Sequence, residues 1–90
     1  MTVANTIWQQ ISVATKMACG ARQPVASERG LTFKVGGLLR YVMVDLDDDD
    51  TYSVRHVKVN RSTYKQTVLE SDSGVYADAL SEVVYHMVNK

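Results

Sequence analysis

Half of the acidic side chains in this 90-residue chain, five of ten, lie in one segment, residues 45–50. Aspartates at alternating positions can ligate calcium, and Asp45, Asp47 and Asp49 fit the first, third and fifth positions of an EF-hand loop. The match ends there, because the sixth position is Asp50 instead of glycine and the twelfth is a histidine instead of a bidentate glutamate. The segment therefore favours a solvated hairpin turn over an opportunistic weak cation site, and we expect no resident metal.

The same segment, which we call the acidic loop, could instead meet a positively charged partner. Its carboxylates belong to Asp45, Asp47, Asp48, Asp49 and Asp50. Clustered carboxylates can imitate the spacing of phosphates and occupy a basic groove. A mimic of nucleic acid is expected to be acidic overall, whereas this chain has ten acidic and ten basic residues. We therefore treat the acidic loop as a candidate surface for a protein partner.

The basic residues support a different hypothesis, because several of them lie on or beside predicted strands. They are Lys34, Arg40, Arg55, Lys58 and Lys65, with Arg61 in a predicted turn. Outside the acidic loop the chain has ten basic residues and five acidic ones. Tyr41 and Tyr64 could stack on bases if they point outward. These residues could form a weak nucleic-acid-binding face, and the alternative is ordinary solubilising charge on a half-exposed sheet.

Few groups in the chain could carry catalysis. His86 lies in the last turn of a predicted helix, where the helix dipole favours an imidazolium without any further role. Cys19 also ends a predicted helix, where the dipole opposes formation of a thiolate. The chain has no P-loop, CxxC pair or HExxH motif. We therefore expect no catalytic residue and no cofactor, and a small enzyme would need a pocket around the remaining histidine, His56.

Length and composition indicate one globular domain, residues 1–90, with 46% hydrophobic and 22% charged residues. A single cysteine allows no internal disulfide, which suits a reducing cytoplasm. The N-terminus lacks the pattern of a signal peptide, and no apolar stretch approaches the roughly 20 residues that span a bilayer. We expect a cytoplasmic protein without membrane contact. A homodimer would add stability to so short a chain, although nothing in the sequence demands one.

The first predicted element is a helix over residues 4–19, where apolar residues recur at spacings of three and four. The stripe comprises Val3, Ile7, Ile11, Ala14 and Ala18. Gly20 is a natural C-terminal stop, because glycine accepts the left-handed conformation. Residues 21–30 have no period and contain Pro24, so a loop is predicted there.

Four strands are predicted after this loop, over residues 31–35, 38–46, 51–60 and 63–70. The first alternates apolar and polar residues, and Gly36-Gly37 behind it is a hairpin signal. In the third strand Tyr52 and Val54 share one parity, whereas Val57 has the other. Side chains of both parities can be buried on one face only if an extra residue shifts the alternation of the strand. A bulge is therefore predicted near residues 55–56.

A second helix is predicted over residues 75–88, where apolar side chains form a stripe with a 3.6-residue period. Residues 71–74 should separate it from the last strand. The element order is then α-β-β-β-β-α, and tight connections between the strands give an antiparallel meander. Both amphipathic helices need the apolar side of the sheet. The predicted fold is therefore a two-layer α+β sandwich, with both helices on one face of a four-stranded sheet.

Four stretches of the chain are distinctive: Ile7-Trp8-Gln9-Gln10-Ile11, Gly30-Leu31-Thr32-Phe33-Lys34-Val35, Asp50-Thr51-Tyr52-Ser53-Val54 and Gly74-Val75-Tyr76-Ala77-Asp78-Ala79-Leu80. Together they resemble a group of small proteins encoded by bacteriophages and mobile elements. The resemblance covers most of the chain and departs from the group in the loop after the first helix, where its members continue with a glycine-rich turn. It implies a small phage-associated protein in the host cytoplasm and transfers no catalytic residue.

These observations favour a non-enzymatic module that binds a protein partner. The small size, the missing catalytic set and the uneven distribution of charge all favour it. A weak nucleic-acid-binding domain is the alternative.

Overall fold

The computed structural model describes residues 3–36 and 39–89. They form helices α1 (Val3–Gln10) and α2 (Val13–Cys19), then strands β1 (Arg22–Ser27), β2 (Gly30–Lys34), β3 (Arg40–Leu46), β4 (Tyr52–Val59) and β5 (Gln66–Val75). A 3₁₀ turn at Ala77–Ala79 leads into helix α3 (Leu80–Val88). The α+β class is confirmed, but the described residues hold five strands and three helices where four strands and two helices were predicted.

The strands form one antiparallel sheet in chain order, β1-β2-β3-β4-β5, so the predicted meander has one strand more than expected. Alternate residues of β2, β3 and β4 are buried in one cluster with residues of all three helices. Its members include Ile7, Ile11, Cys19, Phe33, Val42, Val44, Val54, Leu80 and Val84. The helices therefore cover one face of the sheet and leave the other face without a helical layer.

The added strand is β1, which lies within the predicted loop 21–30. All its residues are exposed, so no alternation of apolar and polar residues marks it. It is an edge strand, where Pro24 is tolerated because the missing N–H group is not needed by a second neighbour. Its pairing with β2 is irregular between Arg22 and Val25. Gly37 and Leu38 lie outside the described residues, and with them part of the predicted Gly36-Gly37 hairpin.

The predicted helix 4–19 is divided into α1 and α2 at Ser12. The Ser12 side chain caps α2 by accepting a hydrogen bond from the Thr15 amide at 3.1 Å. Beyond the break Thr15 and Cys19 are buried, whereas Ala14 and Ala18 of the predicted stripe are exposed. No helix in the described ranges has the length and the apolar composition needed to cross a membrane.

The predicted break at residues 71–74 is also wrong, because β5 continues through it to Val75. Gly74 takes the left-handed conformation (φ 65°), and the pairing of β5 with β4 shifts there. Helix α3 therefore begins later than predicted. Val75 is buried and Tyr76 is exposed, so Val75 anchors this connection in the core.

The bulge lies close to the predicted residues 55–56, but the extra residue belongs to β5 and not to β4. The pairing of β4 with β5 shifts between His56 and Val57. His56 pairs with Glu70 and Val57 with Val68, which leaves Leu69 of β5 as the extra residue. Strand β4 itself pairs with β3 without interruption. His56 thus points to the helical side, and Val57 is buried on the opposite face.

Candidate functional site

The acidic loop forms the turn between β3 and β4, and its carboxylates have partners inside the protein. Asp49 Oδ1 accepts hydrogen bonds from the Thr51 hydroxyl at 2.6 Å and from the Thr51 amide at 3.2 Å. These two bonds lower the pKa of Asp49 because they stabilise its charged form. Asp47 Oδ2 accepts a hydrogen bond from the Ser53 hydroxyl at 2.6 Å. Both carboxylates therefore help to shape the turn.

Two further carboxylates of the acidic loop form ion pairs. Asp45 lies 3.1 Å from the guanidinium of Arg55, and Asp48 lies 2.5 Å from that of Arg29. Asp50 has a φ of 65°, a conformation that aspartate tolerates in turns. Within residues 3–36 and 39–89, no group of three or more His, Cys, Asp or Glu residues is arranged to hold a metal ion. The acidic loop is thus a turn whose charges are largely used internally.

The five basic residues predicted to form a nucleic-acid-binding face do not share one face. Lys34 and Arg55 lie on the open side of the sheet, where the Lys34 ammonium is 5.9 Å from the ring centroid of Tyr41. Arg40 and Lys58 pair across β3 and β4 on the helical side. The fifth residue, Lys65, lies in the connection between β4 and β5. The predicted basic face is therefore divided.

A smaller basic set does come together at one end of the sheet. Arg40 is the cross-strand neighbour of Lys58, and the Lys65 carbonyl accepts a hydrogen bond from the Asn60 amide in the β4–β5 connection. We call Arg40, Lys58, Arg61 and Lys65 the basic end. Tyr64 in the same connection is 80% exposed. The acidic loop lies at the opposite end of the strands, so the molecule is polarised along them.

An unpredicted groove lies between α3 and β5. Glu70 pairs with His56 and Asp72 pairs with Val54, so both carboxylates lie on the helical side of the sheet. The groove has a volume of about 270 Å³ and is lined by Glu70, Asp72, Ala79, Glu82, Val83, His86 and Met87. We call it the α3–β5 groove. The Glu82 carboxylate lies 3.6 Å from the exposed imidazole of His86.

His56 lies at the bottom of an adjoining cleft. The cleft has a volume of about 170 Å³ and shares Glu70 and Met87 with the groove; its other residues are Arg40, His56, Leu69 and Val88. The His56 side chain is 4% exposed, and its Nε2 atom has no hydrogen-bond partner among the described residues. Burial, helped by the charge of Arg40, lowers the pKa of the imidazole, while a hydrogen bond with the Met87 backbone and the charge of Glu70 act against this. The neutral imidazole is therefore favoured.

The outer side of α2 is an apolar helix surface. Val13 and Met17 are 70% and 78% exposed, and Ala14 and Ala18 beside them are exposed too. We call these four residues the α2 apolar face. The ammonium of Lys16 lies 4.4 Å from the ring centroid of Trp8, so this charge is directed toward α1.

The single cysteine is not placed for chemistry. Cys19 is buried, and burial raises the pKa of its thiol more than a hydrogen bond with Asn89 lowers it. The thiol is therefore protonated and shielded. The α3–β5 groove and the His56 cleft, both formed by described residues, have no serine, threonine or cysteine in their walls.

Sequence reasoning missed the α3–β5 groove because it ended the last strand before Asp72. One signal pointed to the cleft beside it, since His56 has the same parity in β4 as Tyr52 and Val54, which predicts a histidine on the buried face. Comparisons of the chain with models of protein families, with curated proteins and with solved structures each found no match. The geometry of the described residues is thus the basis for a functional assignment.

Proposed function

We propose that the protein is a non-enzymatic interaction module that binds a protein partner. A phage or mobile-element origin and a place in the host cytoplasm complete this proposal, and they are supported by the sequence resemblance alone. The observation that carries the binding role is the α2 apolar face. Single apolar residues are ordinary on a protein surface, but a contiguous helix face of four is typical of a surface that another protein covers.

The exposure of this face is built into the fold. The Ser12 amide donates a hydrogen bond to Ser81 Oγ of α3 at 2.6 Å, and the Ser81 hydroxyl donates to the Gln10 carbonyl at 3.3 Å. Because these bonds hold the junction of α1 and α2 against α3, α2 has a defined orientation. That orientation buries Thr15 and Cys19 and turns the apolar residues Val13 and Met17 outward.

The absence of enzymatic activity is part of the proposal. Covalent catalysis needs a nucleophile beside a base, and the walls of the α3–β5 groove and the His56 cleft provide no hydroxyl or thiol. His56 offers a basic nitrogen, but its wall partners are a guanidinium, a carboxylate and aliphatic groups. Binding is therefore favoured over chemistry at this site.

The test is photo-crosslinking from a bacterial lysate with a photoreactive residue at position 14 of the α2 apolar face, which leaves positions 13 and 17 available for substitution. The double variant V13K/M17K should lose the crosslinked partner. The matched control V25K/V68K adds the same charge at two other exposed valines, which are 63% and 51% exposed, and should retain it. A partner that V13K/M17K still binds, or no partner in repeated experiments, would contradict the proposal.

A second candidate function is weak binding of nucleic acid at the basic end. The supporting observation is the exposed ring of Tyr64 between Arg61 and Lys65, because a base can stack on the ring while the cations contact phosphates. Residues 51–69 contain no acidic side chain to oppose such binding. Affinity for a labelled single strand should fall steeply with salt, and R61A/K65A should reduce the slope while K34A leaves it unchanged. A salt-independent affinity would exclude this function.

A further inference from the structure

The sheet has two edge strands, and they differ in how they are protected against pairing with another strand. Proteins commonly block an edge with proline, lysine or a distorted backbone. β1 contains Pro24, and Gln23 before it has a φ of 53°. β5 is the longest strand in the described residues and contains no proline, lysine or arginine. The edge at β1 is therefore blocked, whereas the edge at β5 is open to an additional strand.

The outer edge of β5 is exposed along almost its whole length. β4 pairs with the inner edge, and no described element pairs with the outer one. Residues 66–74 are exposed apart from the partly buried Glu70, and Val68 and Leu69 near the middle are 51% and 46% exposed. An edge strand directs the N–H and C=O groups of alternate residues away from the sheet. An added strand would pair with these groups and cover the two apolar side chains.

A bulge divides β5 into two regular parts of equal length. The extra residue Leu69 separates residues 66–68 from residues 70–72, and both parts pair regularly with β4. A strand that pairs with both parts needs an interruption at the matching place. An antiparallel copy of β5 has one, because its own extra residue lies midway between the same two parts. The edge is therefore complementary to itself, as the interface of a two-fold dimer must be.

The two faces of the sheet define the register of such a pairing. Thr67 and Asp72 lie on the helical side, and Val68 and Ser71 lie on the open side. Opposite residues of an antiparallel pair have their side chains on the same face. Asp72 of the second copy would therefore lie beside Thr67, and Ser71 of the second copy beside Val68. The two-fold axis then passes through the centre of β5.

The charges of the two copies complement each other in this register. Lys65 precedes Thr67 by two residues, so it comes diagonally beside Asp72 of the second copy, within reach of a long side chain. Lys58, the cross-strand neighbour of Thr67, lies on the same side. Each copy thus places its basic end beside Asp72 of the other. The two Glu70 carboxylates lie near the axis and oppose the pairing, so loss of their charge should not weaken it.

We propose that the outer edge of β5 binds a second copy of this chain, so that two β5 strands pair antiparallel and join two five-stranded sheets into one. This interface is separate from the α2 apolar face, and the inference goes beyond the proposed function. A strand of ten residues is smaller than the about 20–30 residues that each side of a standard interface contributes, so the dimer forms reversibly. The pairing adds buried surface to a chain of 90 residues, whose own core is small.

Sedimentation equilibrium over a wide range of protein concentration measures this dimer directly. The mass should rise from that of one chain toward that of two. V68K should weaken dimerisation by about tenfold, because a lysine on an edge strand opposes pairing. V25K adds the same charge to an exposed valine on the same face of the β1 edge and should leave dimerisation unchanged. The mass of one chain at every concentration, or a V25K variant as defective as V68K, would overturn the inference.

Reversal of charge tests the register. D72K and K65E should each weaken the dimer by about fivefold, and K65E/D72K should restore it, because the pair forms again with opposite signs. Positions 65 and 72 of one chain are roughly 23 Å apart along the strand, so such a rescue arises only between copies. E70Q should not weaken the dimer. Additive weakening in K65E/D72K, or a loss in E70Q, would overturn the proposed pairing.

Hydrogen exchange separates a second copy from other occupants of this edge. The β5 amides should exchange more slowly as the protein concentration rises, whereas the β1 amides should not change. Dimerisation that V13K/M17K abolishes would assign the α2 apolar face to the second copy and overturn the inference. Slower exchange in β5 only after addition of the crosslinked partner protein would assign the edge to a strand of that partner, which would also overturn it.

Discussion

The acidic loop and the α3–β5 groove both concentrate carboxylates, but their surroundings differ. In the acidic loop, Asp47 and Asp49 accept hydrogen bonds from Ser53 and Thr51, and Asp45 pairs with Arg55. In the groove, Asp72 accepts a hydrogen bond from the neighbouring Ser73 amide at 3.0 Å, and Glu82 lies 3.6 Å from the exposed imidazole of His86. The first arrangement shapes a turn, and the second places negative charge along a groove between a helix and a strand.

This difference shows that the density of charge in a sequence is a poor guide to a binding site. The acidic loop holds five carboxylates in six positions and is the most conspicuous feature of the chain. The groove takes Glu70 and Asp72 from one element and Glu82 from another. The contacts that the fold gives each carboxylate, and not the density of carboxylates along the chain, decide its contribution to stability.

The largest effect is expected from the glycines next to the two regions. Gly30 pairs with Asp45, and an added Cβ would overlap the Val44 carbonyl oxygen of β3. G30A should therefore lower the free energy of unfolding by about 3 kcal/mol. Gly74 lies near the end of β5 with a φ of 65° and open space around it, so G74A should cost only about 1 kcal/mol.

Urea denaturation followed by circular dichroism measures both changes. A reversed order, with G74A costing more than G30A, would contradict the close approach of β2 and β3 beside the acidic loop.

A smaller effect is expected from the pH dependence of stability at His56. Its pKa is lower in the folded protein than the ordinary 6.5, so the unfolded chain binds the proton more readily. The free energy of unfolding should be unaffected by His56 above about pH 6.5 and should fall as the pH drops toward the folded pKa. H56Q should remove this fall, whereas H86Q should retain it.

Urea midpoints measured from about pH 8 down to about pH 5 give the comparison. An H56Q protein with the same pH dependence as wild type would contradict a buried neutral imidazole beside the groove.

The smallest effect is expected in the acidic loop itself. T51V removes the hydroxyl that donates to Asp49 and should raise the pKa of Asp49 toward the ordinary 3.8. The lowered pKa of Asp49 stabilises the folded protein above about pH 3.8, and this contribution is lost as the pH falls through the folded pKa. T51V should therefore make the free energy of unfolding less sensitive to acid. Carbon-detected titration of the Asp49 carboxyl group measures the shift, and S53A, whose hydroxyl does not contact Asp49, should leave the pKa of Asp49 unchanged.

The parts of the fold that were predictable are those with one buried face. Strands β2 and β4 alternate apolar and polar residues, so their positions and the meander could be inferred. Strand β1 is exposed on both faces and has no such pattern, and Pro24 argued against it. The division of the first helix depends on one capping side chain, Ser12, and on its contact with Ser81 far along the sequence.

The candidate site was less predictable because it depends on pairing. Glu70 and Asp72 reach the helical side only because β5 carries the extra residue Leu69 and continues past residues 71–74. No periodicity within residues 63–75 indicates that register. Arg55 and Lys58 have opposite parity in a regular strand, and only the bulge predicted near residues 55–56 would have placed them on one face. Strand β4 has no such bulge toward β3, so Lys34 and Arg55 lie opposite Arg40 and Lys58.

The central claim is that the carboxylates of the acidic loop stabilise the fold more than those of the α3–β5 groove do. Urea denaturation of D47N/D49N and E70Q/D72N/E82Q, each compared with wild type, tests it most directly. D47N/D49N should lower the midpoint, because it weakens hydrogen bonds within the turn. E70Q/D72N/E82Q should lower the midpoint less, because the pair of Glu82 with His86 is exposed and exposed ion pairs contribute little to stability. A clear loss of stability in the groove variant, with none in the loop variant, would contradict the claim.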